Sequence, residues 1–292
     1  MLDLIDSWVV HLQAEHKASR TIRVYATGVR QYFTYCAEKG LPEVLDRRQV
    51  QAWIAGMMES GLEPTTADVR LTAVKRFSWW LHDEDEIDTD VLAGIKAPKI
   101  GEKIVRPLSM DEIQALLGAC KGKDFLARRD EAIIRLMLDT GLRASELCGL
   151  KLTDVKVVAG TAVALGKGNR ERTVAFGAQT ARALDRWLRV RRTHGKANTS
   201  SAFFLGGMGR TFGYPGLARC LALRGEQAGL GPVNPHKLRH TWATRWRNAG
   251  GSEQSMMALA GWTSPKMIAR YTRATSAERA VAESQQLNLG DL

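Results

Sequence analysis

No apolar run in this 292-residue sequence approaches the roughly 20 residues that a membrane span requires. Its opening, MLDLIDSWVV, carries two acids and no basic stretch, so no secretory leader is expected. Cysteine is scarce. Cys36, Cys120, Cys148 and Cys220 stand apart, without a paired motif. That excludes a disulfide framework, and the thiols read as reduced core residues of a cytoplasmic protein. Metal-ligand spacings are lacking too. His236 and His240 are four apart, but Lys237 stands where a metalloprotease helix needs Glu. No carboxylates cluster at ligand spacing, so neither a metal nor a cofactor is expected. Two glycine-rich stretches fail as nucleotide loops. Before Gly166-Lys167-Gly168, position 161 is Thr rather than Gly, and Gly168 stands where Ser or Thr would hold magnesium. The GGMGR segment at 206–210 is a loop without a dinucleotide context.

What is abundant is positive charge. The chain carries a net +11, unevenly spread. Residues 1–100 hold 12 Lys and Arg against 15 acids, and residues 101–292 hold 30 against 16. The second segment is therefore at +14, which points to a polyanionic partner.

Residues 2–16 predict a short amphipathic helix through Leu4, Ile5, Trp8, Val9 and Leu12. Ser19 reads as the cap of a second helix, whose apolar face is Ile22, Tyr25, Val29, Tyr32, Phe33 and Cys36. A third helix is expected over about 47–60, with Val50, Trp53, Ile54 and Met57 inward. A fourth follows Pro64 and runs to about His82, with Val69, Val74, Phe77 and Trp80 inward. Short connections make these four a compact bundle. Its basic residues, Arg20, Arg23 and Arg30 on the second helix and Arg70, Lys75 and Arg76 on the fourth, read as a solvated face or as phosphate contacts. An acidic run from Asp83 to Asp90 and a stretch with Gly94, Pro98, Gly101 and Pro107 then mark a boundary. The chain divides into a helical domain, 1–90, an extended linker, 91–107, and a second domain, 108–292.

The second domain opens with a capping box, Ser109 with Glu112. Helices are expected near 110–120, 126–139, 178–192, 215–228 and 235–249, and short β runs at 155–158, 161–165 and 172–176. The whole is mostly α with a small β-sheet.

Candidate chemistry gathers in PHKLRHTWATRWRNAGGSEQSMMALAGWTSPKMIARY, residues 235–271. His236 and Arg239 are three apart at the start of a helix, an arrangement that suits an anion. Arg143 and Glu146 in TGLRASEL are also three apart, so the carboxylate can direct the guanidinium. The plain alternative is a surface ion pair worth about 0–1 kcal/mol. Lys167 sits at a hairpin tip, free to enter a groove. Tyr271 shares a stripe with Met267 and Ile268, which is equally the spacing of a core tyrosine.

Taken in order, Arg143, Lys167, His236, Arg239, Trp262 and Tyr271 resemble the site positions of the tyrosine recombinase family, the phage-integrase and Xer-like class. The resemblance covers essentially the whole chain. It implies a helical core-binding domain, a linker and a mixed α/β catalytic domain, of the small type without an arm-binding module. It implies that Tyr271 attacks a DNA phosphodiester to give a 3′-phosphotyrosine, without metal or ATP, and that strands exchange through a Holliday junction. Arg143 and Arg239 would neutralise the phosphate, His236 would handle a proton, and Lys167 would protonate the leaving 5′-oxygen. Glu146 and His240 would stand behind them. Trp262 departs from the family's more frequent His: an indole can donate a hydrogen bond but has no acid–base capacity.

The implied partners are double-stranded DNA with a specific core-type site, three further copies in a homo-tetramer on two sites, and an accessory directionality factor, with no membrane. The run Ala277 to Leu289 would dock on a neighbouring subunit. The implied setting is a bacterial cytoplasm. The expected job is phage or mobile-element integration and excision. Xer-like dimer resolution, a catalytically silent DNA-binding protein and a monomeric type IB topoisomerase are the alternatives.

Overall fold

The computed structural model describes residues 1–98, 101, 105–166, 170–207, 212–272 and 276–287. The chain forms two compact units, Met1–Glu102 and Lys103–Leu292. The first is built on α1 (Leu4–Ala14), α2 (Ser19–Glu38), α3 (Arg47–Glu59) and α4 (Pro64–Asp83). Each helix turns one apolar stripe inward, as a 3.6-residue period dictates. Phe77 lies at the centre, its ring 5.2 Å from that of Trp8 and 6.5 Å from that of Phe33. Each such side chain contributes about 1.5–3 kcal/mol by leaving water. Helices α2 and α4 cross closely at Gly28, where a Cβ would stand 2.9 Å from the Cβ of Ala73. That contact explains a mid-helix glycine despite its cost of about 0.5–1 kcal/mol.

Three expectations are corrected here. Val69 is 42% exposed, because the inward stripe of α4 runs through Ala67, Leu71, Val74, Ser78 and Leu81, and Val69 falls off it. Ser19 is not the cap of α2: extended Ala18 takes that position, and Ser19 is already helical. The linker expected from residue 91 does not begin there. Leu92 and Ile95 are buried in the first unit's core. Asp90 fixes the turn by accepting from Ser78 Oγ at 2.5 Å and from the Leu92 N–H at 3.1 Å. Lys75 and Arg47 then hold the carbonyls of Ile95 and Ala93 at 2.8 and 3.0 Å. Two apolar side chains suffice to draw a polar segment onto the bundle.

The second unit contains α5 (Met110–Gly118), α6 (Phe125–Thr140) and α7 (Ala144–Gly149), then an antiparallel sheet in the order β1 (Val155–Lys156), β2 (Thr161–Leu165), β3 (Glu171–Ala175). It continues with α8 (Ala178–Arg191), α9 (Tyr214–Gln227), α10 (Pro235–Asn248), α11 (Glu253–Ala260), α12 (Lys266–Thr272) and α13 (Ser276–Leu287). The capping box forms at α5: Ser109 Oγ accepts the Glu112 N–H at 3.1 Å, and Glu112 accepts the Ser109 N–H at 2.7 Å. Helix α6 is the pillar. Ile133, Ile134, Leu136 and Met137 are fully buried, and α8 and α10 pack against it. The β run expected over 155–158 stops at Lys156, since Gly160 turns the chain in the left-handed region and leaves Val158 fully exposed. Helix α11 was not expected from the sequence. Among the described residues no helix is long and apolar enough to cross a membrane.

Candidate active site

The site begins where α6 ends. Gly141 closes that helix at φ +62°, in the left-handed region that favours glycine. A Cβ at this position would collide with the ring of Trp242 on α10. The glycine therefore lets α10 seat directly against the end of α6. It also leaves its carbonyl facing Arg239 of α10, whose Nη1 donates to it at 2.5 Å. Two residues on, Arg143 stands at the N-cap of α7 and Glu146 one turn inside.

Glu146 is the electrostatic centre. Its side chain is 1% exposed and accepts four hydrogen bonds. Two come from Arg143, from the backbone N–H at 2.7 Å and from Nη1 at 2.8 Å. Two come from Arg172 on β3, from Nη1 at 2.5 Å and Nη2 at 2.7 Å. Burial alone would raise the carboxyl's pKa. The Arg172 fork and the Arg143 donors outweigh it and hold the group below its ordinary value.

The end of α11 gathers the same arginines. Arg172 Nε donates to the carbonyl of Leu259 at 2.7 Å, Arg239 Nη2 to that of Ala260 at 2.7 Å, and Arg143 Nη2 to that of Gly261 at 2.6 Å. Three consecutive carbonyls thus take one guanidinium each, at the negative end of the helix dipole. Gly261, at φ +62°, turns the chain there, and a Cβ would come within 3.0 Å of Arg143 Nη1.

The segment leaving α11 brings Trp262 and Tyr271 against α10. The Tyr271 ring lies 4.8 Å from Trp262, 5.1 Å from His236 and 4.2 Å from His240. Its hydroxyl is 3.3 Å from His236 Nδ1, so it donates whenever that nitrogen is unprotonated. Arg239 lies over the Trp262 ring, its Cζ 5.3 Å from the centroid. Arg239 is only 3% exposed. Burial, and then neighbouring Arg143, lower its guanidinium to about 10, which leaves it charged at neutral pH.

A cleft of about 400 Å³ opens on these groups, lined by Arg143, His236, Arg239, Trp262 and Tyr271 together with Tyr214 and Met267. Among the described residues, Arg143 and Arg172 share one carboxylate, Glu146, and Arg239 lies beside them, so the three arginines carry an excess of two positive charges. Arg239 finds carbonyls rather than a carboxylate. A buried cation without a counter-ion is costly, and an anion in this cleft would supply one. Lys167 lies outside the described residues.

The basic residues of the first unit are not gathered in this way. Arg20 and Arg23 are exposed, and Arg30 pairs with Asp6 at 2.9 Å. Arg70 rests on Met57 Sδ at 3.0 Å, and Arg76 lies 5.8 Å over the Tyr25 ring. A cleft of about 490 Å³ in this unit includes Asp6, Lys17, Arg23 and Arg30. It is larger than the one at Tyr271 and also holds His16 and Ser19, but among the described residues no hydrogen bond joins that hydroxyl to that imidazole.

Sequence reasoning did not find Arg172. Its partners lie 26 and 87 residues away, beyond any local spacing. The only signal was alternation: Arg172 shares a strand face with buried Val174. No group of three or more His, Cys, Asp or Glu able to hold a metal ion occurs among the described residues.

Residues 106–278 match the phage integrase family, and residues 5–85 match the phage integrase N-terminal SAM-like domain. Tyrosine recombinase XerC of Haemophilus influenzae (strain PittEE) is 31% identical over 242 residues, spanning 79% of this chain and 81% of that protein. Tyrosine recombinase XerD of Bifidobacterium longum (strain NCC 2705) is 27% identical over 282 residues and 92% of each chain. The Tn1549 transposon integrase, solved in complex with transposon right end DNA, superposes with a TM-score of 0.76 at 16% identity over 98% of each chain. At that identity the likeness speaks for the fold.

Proposed function

The chain belongs to the phage integrase family and is a tyrosine recombinase, and from that premise we propose that Tyr271 cuts and reseals DNA in the cleft between the start of α7, α10 and α12. One observation carries the assignment: the Tyr271 hydroxyl sits 3.3 Å from His236 Nδ1, beside three arginines that share a single carboxylate's charge between them. A phenol with an ordinary pKa near 10 needs both a proton acceptor and a neutralised phosphate to attack at neutral pH.

The Tyr271 oxygen bonds to phosphorus as the bond to the 5′-oxygen breaks. The phenolic proton passes to His236, and Lys167 supplies one to the leaving oxygen. Arg143 and Arg239 hold the non-bridging oxygens through donors not used on Glu146, Gly141, Ala260 and Gly261. Trp262 and His240 pack the nucleophile's ring. The 3′-phosphotyrosine conserves the ester bond energy, so a second 5′-hydroxyl reseals the strand without ATP. Two rounds on two duplexes pass through a Holliday junction.

The first unit also binds double-stranded DNA, with exposed Arg20, Arg23 and Arg76 as phosphate contacts that set register. Four copies assemble on two core-type sites. Exposed Val281 and Leu287 on α13 offer a neighbour an apolar face. Relatives at 27–31% identity are Xer recombinases and a fold neighbour is a transposon integrase, so phage or mobile-element integration and Xer-like dimer resolution both stand as uses of this chemistry. Integration would bring in an accessory directionality factor.

Footprinting on genomic DNA flanking the gene identifies the site, and a nicked duplex spanning it traps the intermediate. Tyr271→Phe is expected to retain DNA affinity and to lose the SDS-resistant adduct completely. An adduct that survives in Tyr271→Phe refutes the assignment. Strand exchange between two sites, rather than relaxation of supercoils alone, separates a recombinase from a topoisomerase.

A further inference from the structure

We propose that Arg172 is a positioning residue for strand cleavage: it fixes Glu146 and the end of α11, and through them the direction in which Arg143 faces the phosphate. The proposal rests on the recombinase reading above. Arg172 does not line the cleft. Its three nitrogens are all committed, two to Glu146 and one to the carbonyl of Leu259. It therefore joins three separate pieces of the chain: β3, the start of α7 and the end of α11.

The geometry shows what would change without it. Glu146 Oε1 is shared between Arg143 Nη1 at 2.8 Å and Arg172 Nη1 at 2.5 Å. Arg143 keeps Nη2 on the Gly261 carbonyl at 2.6 Å. Removing Arg172 strips a carboxylate that is 1% exposed of half its donors. The nearest replacement is the rest of the Arg143 fork. A carboxylate that chelates this fork turns it away from Gly261 and the cleft. The Leu259 carbonyl is released at the same time, loosening the turn that leads to Trp262. Lysine cannot replace Arg172, because an ammonium lacks the planar fork that matches both carboxylate oxygens and reaches a third acceptor.

The test is single-turnover cleavage of a nicked duplex spanning the footprinted site, with DNA affinity measured in parallel. Arg172→Ala is expected to slow covalent adduct formation about 10²-fold, the scale of a small misplacement of catalytic groups. Its affinity for the duplex should stay within about threefold, which also reports a folded protein, and Arg172→Lys should recover no more than about a tenth of the wild-type rate. A double-mutant cycle with Glu146→Gln supplies the readout that a merely structural role would not move. On the Glu146→Gln background, Arg172→Ala should cost less than about threefold in rate. An equal loss on both backgrounds, or full activity in Arg172→Lys, overturns the proposal. Wild type and Arg172→Ala forming adduct at the same rate overturns only the role of Arg172. No Tyr271-dependent adduct in the wild type overturns the recombinase reading and this role with it.

Discussion

Two arginines of the second unit are equally buried and lead opposite lives. Arg191 and Arg239 are each 3% exposed, and burial lowers the pKa of both. Both are served by backbone carbonyls. Arg191, the last residue of α8, commits all three nitrogens to four carbonyls. Nε reaches Ala202 and Phe203 at 3.2 Å each, Nη1 reaches Ala197 at 3.3 Å, and Nη2 reaches Ser200 and Ala202 at 2.7 Å each. It has nothing left to offer and serves as a clasp for the loop before Phe203. Arg239 makes one bond from each Nη, has Arg143 as a neighbour, and lines a cleft. Burial without a carboxylate therefore does not mark a functional arginine. Spare donors, a like charge nearby and an open side do.

Replacing each arginine by methionine keeps length and removes charge. Arg239→Met should slow strand cleavage by about 10²–10³, the usual loss for one preorganised donor. Its unfolding free energy should move by only about 1 kcal/mol, because relief of the Arg143 repulsion offsets two lost bonds. Arg191→Met should do the reverse. Five bonds at a net of about 1 kcal/mol each, partly replaced by water, predict a loss near 3 kcal/mol. Cleavage per folded molecule should stay within about twofold of wild type. Thermal unfolding and single-turnover kinetics on the same preparations decide it. If Arg191→Met slows cleavage as much as Arg239→Met, the distinction fails.

The same contrast explains what the sequence made legible. Helices announce themselves through local spacing, so α2, α3, α6 and α10 lie close to where periodicity puts them. Ser109 and Glu112 announced a helix start because a capping box is complete within four residues. Arg143 and Glu146 were paired correctly for the same reason. Arg172 was missed because its partners meet it only in three dimensions. Helix α11 was missed because eight residues with few large apolar side chains give a weak stripe, although Ser252 does cap it by accepting the Ser255 N–H at 3.2 Å. Val69 was misplaced because residue type was preferred to spacing; small Ala67 holds the inward position instead. The proposal of Tyr271 as nucleophile starts from resemblance, since Tyr271 on its own has the stripe position of a core residue. The structure gives it both properties: it is 7% exposed, and its hydroxyl meets His236.

An added anion should distinguish the two arginines by a smaller amount. Sulfate is a fair stand-in for the phosphodiester, with chloride at equal ionic strength as the reference. At ten times its dissociation constant, a ligand that binds only the folded state adds about 1.4 kcal/mol, or roughly 3–5 °C in melting temperature. Wild type and Arg191→Met should gain this equally, and Arg239→Met should gain little. An undiminished gain in Arg239→Met would mean that the cleft is not where the anion sits.

The smallest effect separates the two corners by pH. The Arg191 corner is held by neutral carbonyls and has no carboxylate among its hydrogen-bond partners, so the penalty of Arg191→Met should be the same at pH 4 and pH 7. The other corner hangs on Glu146, whose carboxyl is held below its ordinary value of 4.5 by Arg172 and Arg143 against the opposing effect of burial. A carboxylate with a depressed folded pKa contributes stability that is fully present above 4.5 and is lost as pH falls through the folded value. The gap in unfolding free energy between wild type and Glu146→Gln should therefore be constant from pH 6 to 8 and close progressively below pH 4.5. Denaturant titrations across that range measure it. A gap as wide at pH 3.5 as at pH 7 would mean that the Glu146 carboxyl titrates alike in the folded and unfolded states, and that Arg143 and Arg172 do not favour its charged form.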